Sequence, residues 1–185
     1  WYVIQKIESY KQTSIKDENG ILLEIDLKSF DWLPNYNIQN VAKLLSTDSE
    51  KCEIMQSMSA YEPRKPWMSS IETDEFKYPC LHSTPKSGAR FKYSQVNNRG
   101  HFGVSKVIFG ESGINEPVLD IEGNYGMTHG AMGIRIYSLD EGQQLIKCLQ
   151  NPEFQDIIKS CIFSSFRIDW NIFSNMKKEF WKEFI

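Results

Sequence analysis

Between Gly100 and Gly133, short runs of β-branched and aromatic residues are cut every few positions by glycine. This pattern constrains the fold more than any other feature, because glycine supplies tight turns and close backbone approach and breaks any long helix. It predicts strands over Ala89–Gln95, Val104–Phe109, Pro117–Ile121 and Ala131–Tyr137. The period then changes. Ser138-Leu139-Asp140-Glu141 forms a capping box ahead of Leu145, Ile146 and Leu149. Asn151-Pro152 restarts a helix in which Phe154, Ile157, Ile158, Cys161 and Ile162 recur at helical spacing. Two inward-packing helices, Leu139–Gln150 and Pro152–Phe163, are expected. Strands followed by helices make the fold class α+β: a twisted, mainly antiparallel sheet with C-terminal helices packed on it.

Upstream, Trp1–Lys11 and Ile21–Phe30 read as a hairpin that joins this sheet, with Asn19-Gly20 suited to a type I′ turn. Asn37 is placed to cap a short helix running to about Leu45, and a poorer helical pattern covers Glu50–Met58. Tyr61–Pro85 holds Pro63, Pro66, Pro79 and Pro85 beside Trp67, Phe76 and Tyr78, which predicts an extended aromatic connector. A last aromatic segment runs from Phe173 to Phe184. The organisation expected is residues 1–60 as an N-terminal hairpin and short helices linking to an upstream domain, and residues 61–185 as the main unit. The start at Trp1 predicts a piece of a longer protein.

The chain has 185 residues, 41% hydrophobic and 24% charged, which suits one sizeable core and excludes disorder as the main state. No apolar run approaches the roughly 18 residues that cross a bilayer. The expectation is a soluble, cytoplasmic chain with no membrane partner. Net charge is −3, yet residues 62–110 hold eight basic and four acidic side chains. Lys86, Arg90, Lys92, Arg99 and Lys106 occupy a stretch with no carboxylate. Arg90 and Lys92 alternate onto one strand face, Phe91 and Tyr93 onto the other. Asn97-Asn98-Arg99-Gly100-His101 follows, and Asn and Arg are the side chains that pair two-fold with adenine and guanine edges while lysine neutralises phosphate.

Enzyme readings are thinner. Gly110-Glu111-Ser112-Gly113 lacks the GxSxG spacing, and no phosphate-binding glycine loop occurs. Asp120 and Glu122 stand two apart on a strand end, the arrangement of a metal-dependent nuclease, but position 124 is Asn where such sites usually carry Lys; two solvated acids are the plainer reading. Cys80 and His82 have no matching ligand pair, and Cys148 and Cys161 fall on apolar helix positions, so no metal is expected. A protein-interaction module built on the aromatic connector is a further alternative.

Gly100-His101-Phe102-Gly103-Val104-Ser105-Lys106-Val107-Ile108, the turn Gly123-Asn124-Tyr125-Gly126-Met127-Thr128 and the segment Phe166-Arg167-Ile168-Asp169-Trp170 together carry a resemblance. From about Pro79 to Phe184 the chain resembles the C-terminal specificity region of type IIG restriction-modification enzymes and Taq-type adenine-N6 DNA methyltransferases. The resemblance implies a DNA target recognition domain over residues 61–185. It implies double-stranded DNA as partner; the contact set expected is Lys86, Arg90, Lys92, Asn97, Asn98, Arg99, His101, Lys106, Thr128 and His129, the alternative for the basic strip being a solvated loop capping the sheet. An upstream methyltransferase domain of the same chain would bind S-adenosylmethionine and flip the adenine, and the parent enzyme would use magnesium if it also cleaves. This segment itself would hold no cofactor and no catalytic residue. Asn151-Pro152-Glu153-Phe154 departs from the Asn-Pro-Pro-Tyr/Phe loop of such methyltransferases, and the negative net charge departs from the usual balance of a DNA-binding domain.

Overall fold

A computed structural model describes residues 13–46, 50–56, 59–163 and 167–185. The strand expected over Trp1–Lys11, and Phe166 of the aromatic motif, lie outside the described residues. The first described elements are β1 (Thr13–Lys16) and β2 (Leu22–Ile25), an antiparallel hairpin. Its turn is not type I′: Gly20 has φ 81°, but Asn19 keeps a negative φ. Asp17 decides the geometry, because its carboxylate accepts from the amides of both Asn19 (2.9 Å) and Ile21 (2.7 Å). Among the described residues the hairpin is a separate two-stranded sheet that does not join the others.

Helix α1 (Ile38–Leu44) buries Ile38, Val41 and Leu44. Asn37 stands at its N-cap with φ 62°, and its side-chain oxygen accepts from Asn40 Nδ2 (2.8 Å) instead of capping a first-turn amide. The helical expectation for Glu50–Met58 fails, since Ile54–Gln56 is strand β3. Cys52 and Ile54 face one core and Met55 another, so period two wins in a segment too short for a helix to stand without packing. The proline-rich connector contributes β4 (Met68–Ser69) and β5 (Tyr78–Ser83). Pro79 is tolerated because it precedes Cys80 and Leu81, the residues paired on that strand's second edge.

The glycine-punctuated third supplies β6 (Arg90–Ser94), β7 (Lys106–Gly110), β8 (Gly113–Asp120), β9 (Gly126–Met127) and β10 (Ala131–Arg135). They are divided between two sheets, not gathered in one. The first has the order β3-β10-β7-β8 and is antiparallel throughout; the second, β4-β6-β5-β9, is antiparallel except for the parallel pair β5–β9. Helices α2 (Leu139–Gln150) and α3 (Pro152–Ser160) begin as their sequence signals require. Ser138 Oγ accepts from the Glu141 amide (3.1 Å), and Asn151 Oδ1 from the Glu153 amide (2.8 Å) with Pro152 in the first turn. Asn151-Pro152-Glu153-Phe154 is therefore an ordinary helix start. Helix α4 (Trp170–Ser174) and a 3-10 turn over Phe180–Phe184 complete the chain.

The result is three layers: helices, first sheet, second sheet. On β7, Val107 and Phe109 point to the helix-backed core with Leu145, Leu149, Phe154, Ile157, Phe173 and Phe180. Ile108 points the other way, to Leu81, Met127 and Ala131 between the sheets. Tyr61, Met68 and Cys80 form a third, smaller cluster on the far side of the second sheet. All four cysteines are buried and free. Among the described residues, no helix is long and apolar enough to cross a membrane.

Candidate nucleic-acid interface

The far side of the second sheet gathers much of the basic strip. Strand β6 alternates as its sequence suggests: Phe91 packs between the sheets, and Lys92, opposite Cys80, lies on the outer side. Arg90 is exposed, and Lys92 Nζ donates to Ser70 Oγ (2.7 Å). Next to them on β5 is His82, whose Nδ1 shares a 2.8 Å hydrogen bond with Thr128 Oγ1 and whose ring lies 6.1 Å from that of His129. Burial holds His82 below its ordinary pKa, and the charges of Lys92, His129 and Arg90 push it in the same direction. Arg90 and Lys92 thus make an electropositive patch, with the His82 ring, held towards its uncharged form, and the exposed His129 beside it. Thr128 itself is fully buried, so it orients His82 and does not face a ligand.

The loop after β6 is tied down with unusual thoroughness for an exposed segment. Tyr61, fully buried, donates its hydroxyl to Arg99 O (2.7 Å) and accepts from Arg99 N (3.1 Å). Gly100 has φ 60°, and a Cβ there would stand 2.8 Å from the Tyr61 ring. Phe102 packs edge-on against both Tyr61 and Tyr78. Asn97, Asn98 and Arg99 remain exposed, and the Arg99 guanidinium carbon lies 4.3 Å above the Trp67 ring centre. His101 turns inward, its Nε2 donating to Gln56 O (3.1 Å), so it is a brace and not a contact residue. Lys86 is exposed at the turn before β6.

Lys106 does not belong to the interface. It is fully buried, and its ammonium donates to Asp120 Oδ2 (2.5 Å), His101 O (2.9 Å) and Val104 O (3.0 Å), which uses all three protons. Burial lowers its pKa, against the opposing pull of the Asp120 carboxylate. Asp120 is equally far from being a solvated acid. Its Oδ1 accepts from the Asn124 amide (2.7 Å) and its Oδ2 also from the Tyr125 amide (3.0 Å), so it shapes the loop to β9. Glu122 is exposed and shares none of this. A nuclease pair is not assembled, and among the described residues no three His, Cys, Asp or Glu side chains group to hold a metal.

These contacts interlock the two glycine motifs. Gly103 N donates to Gly123 O (2.8 Å), and Gly123, at φ 70°, lies so close to Gly103 and Val104 that a Cβ would be 2.5 Å from Val104 N. Gly126 lies against Phe102 and Cys80 with no room for a side chain. The third motif is set apart: Arg167 pairs with Glu111 (3.8 Å), Ile168 is buried, and Asp169 caps α4 through the Asn171 amide (2.9 Å). Burial raises the Glu111 pKa, with Arg167 opposing. Sequence reasoning missed Tyr61, Trp67 and, beside the basic patch, His82. Only the pairing of β5 with β6 and the fold of the connector bring them to the site. Comparisons with family models, curated proteins and solved structures give no match to this chain.

Proposed function

We propose that this chain is a DNA target recognition domain, binding double-stranded DNA without methylating or cutting it, and that it serves a restriction-modification adenine methyltransferase or endonuclease. One observation carries the reading. Arg90, Lys92, His82 and His129 cluster on the outer side of the second sheet, and on that same side a rigid loop holds Asn97, Asn98 and Arg99 exposed. Arg90 and Lys92 supply charge for phosphate, and the loop supplies side chains able to read base edges. Catalytic parts, S-adenosylmethionine and any magnesium belong in this reading to an upstream methyltransferase domain. Its remaining support is the resemblance of the two interlocked glycine motifs and the 166–170 segment to that enzyme class.

The test is duplex binding at several salt concentrations. Wild type should bind, with affinity falling linearly in log salt. Arg90→Ala and Lys92→Ala should each flatten that slope by about one unit and weaken all sequences alike. Absence of binding at low salt, or a slope that neither variant changes, would overturn the reading.

A further inference from the structure

We propose that Arg99, held over the face of Trp67, is a preformed reader of guanine in the major groove and that Trp67 is its positioning residue. The inference rests on the DNA-recognition reading and goes further, naming the base and the device that presents the side chain to it.

An arginine on a loop tip normally samples many rotamers, and the freedom lost on binding weakens any contact it makes. Here the backbone is held from both sides by one buried hydroxyl, that of Tyr61. The following residue is locked at φ 60°, against the same ring. The guanidinium then lies 4.3 Å over the Trp67 ring centre, a stacking distance that cation–π attraction favours. The platform is fixed in turn, because Trp67 Nε1 donates to Ala60 O (3.0 Å). Tether and platform therefore both come from residues 60–67. Among the described residues the Arg99 guanidinium makes no hydrogen bond or ion pair, whereas Arg64, on the segment that supplies tether and platform, is engaged with Glu62 (Nε to Oε1, 2.6 Å). Parallel to the indole, the guanidinium would present its N–H donors outward at the edge of the ring. Paired in-plane donors match the O6 and N7 acceptors of guanine, the most common two-fold base contact of arginine. Lys65 Nζ, 5.7 Å from the same indole centre, adds a cation beside it for the flanking phosphate.

The experiment selects binders of the full chain from a pool of duplexes with a randomised centre. It then measures affinity for the winning duplex and for one in which each selected G·C pair in turn is replaced by A·T. Wild type should select at least one G·C pair whose replacement costs on the order of 10- to 100-fold. Arg99→Ala and Arg99→Lys should lose the preference at that pair alone, keeping the others, since lysine offers a point charge and no planar fork. Trp67→Leu should relax the same pair and Trp67→Phe should retain it, a restoration by aromaticity that a merely space-filling role would not give. Arg99 is exposed, so its variants fold and carry the test even if Trp67→Leu does not.

Three results would overturn the proposal: an unchanged preference in Arg99→Ala, an equal loss on every duplex, as a phosphate contact gives, or selection of an A·T run that depends on Arg99, as minor-groove insertion gives. If wild type binds and selects nothing, the base-reading assignment falls while the electrostatic reading stands. If wild type does not bind at all, the DNA reading itself has failed.

Discussion

The helix-backed half and the loop-bearing half of this protein are held together by different means. Between the first sheet and the helices the core is apolar, with Phe154 in ring contact with Phe173, Phe180 and Phe184 and helices α2 and α3 covering it. Towards the second sheet and in the loops the apolar clusters are small, and order comes from single polar atoms with several partners: Asp120 at the end of β8, which shapes the 120–125 loop, Tyr61, which holds the Arg99 loop, and Thr84, which ties the end of β5 to the first sheet, its Oγ1 accepting from Gly110 N (2.8 Å) and donating to Gly113 O (2.9 Å). An apolar core tolerates changes of shape in proportion to the volume lost. A polar hub does not, because removing one partner strands the others.

That contrast can be broken by measurement. Asp120→Asn changes almost no volume, yet it leaves the Lys106 ammonium buried without a counter-charge, and it should lower the unfolding free energy by about 3–5 kcal/mol in urea titrations. Adding Lys106→Met should return part of the loss, giving a double variant more stable than the sum of the single effects. A hub that tolerates Asp120→Asn within experimental error would erase the distinction. Gly123→Ala adds one methyl and should cost at least about 1–3 kcal/mol from left-handed strain alone, with the approach to Val104 adding to it. The matching single-methyl change in the apolar half, Ile157→Val, should cost only about 0.5–1.5 kcal/mol.

The smallest effect concerns pH. The folded pKa of His82 lies below its ordinary 6.5, so the unfolded chain takes up a proton that the folded chain refuses. Its contribution is fully favourable above pH 6.5 and is lost as pH falls from there towards the depressed folded value, below which the curve flattens. His82→Asn should remove that part of the slope in midpoint denaturant concentration between pH 7 and pH 5. A profile identical to wild type would mean that His82 is protonated as easily in the fold as outside it.

Legibility in the sequence followed how local the controlling interaction is. The caps at Ser138 and Asn151 act within three residues, and both helices start where those residues place them. Strands β6 and β10 lie inside the expected runs and β7 passes its own by one residue to Gly110, whereas β8 begins at Gly113, four residues before the expected Pro117. Lys106 was misread because counting charges along a strip does not see Asp120, its cross-strand partner in the β7–β8 register. The split into two sheets depends on β5 emerging from a proline-rich stretch and pairing in parallel with two residues of β9, a contact across more than 40 positions with no local signature. Of the candidate contact residues, Lys86, Arg90, Lys92, Asn97, Asn98, Arg99 and His129 reach or border the surface, while His101, Lys106 and Thr128 are turned to internal tasks.

The cysteines turn this division into a clock. Burial pushes the thiols of Cys52 and Cys80 up to about 12 and that of Cys161 up to about 11, and it raises Cys148 as well, so near neutral pH none of them offers a thiolate to an alkylating reagent while the fold is closed. Cys80 lies with Tyr61 under the Arg99 loop, and Cys148 and Cys161 lie in the helix-backed core. Their alkylation rates, read peptide by peptide from one wild-type sample, therefore time how often each half opens, and DNA bound over the loop would slow only the Cys80 hand of that clock.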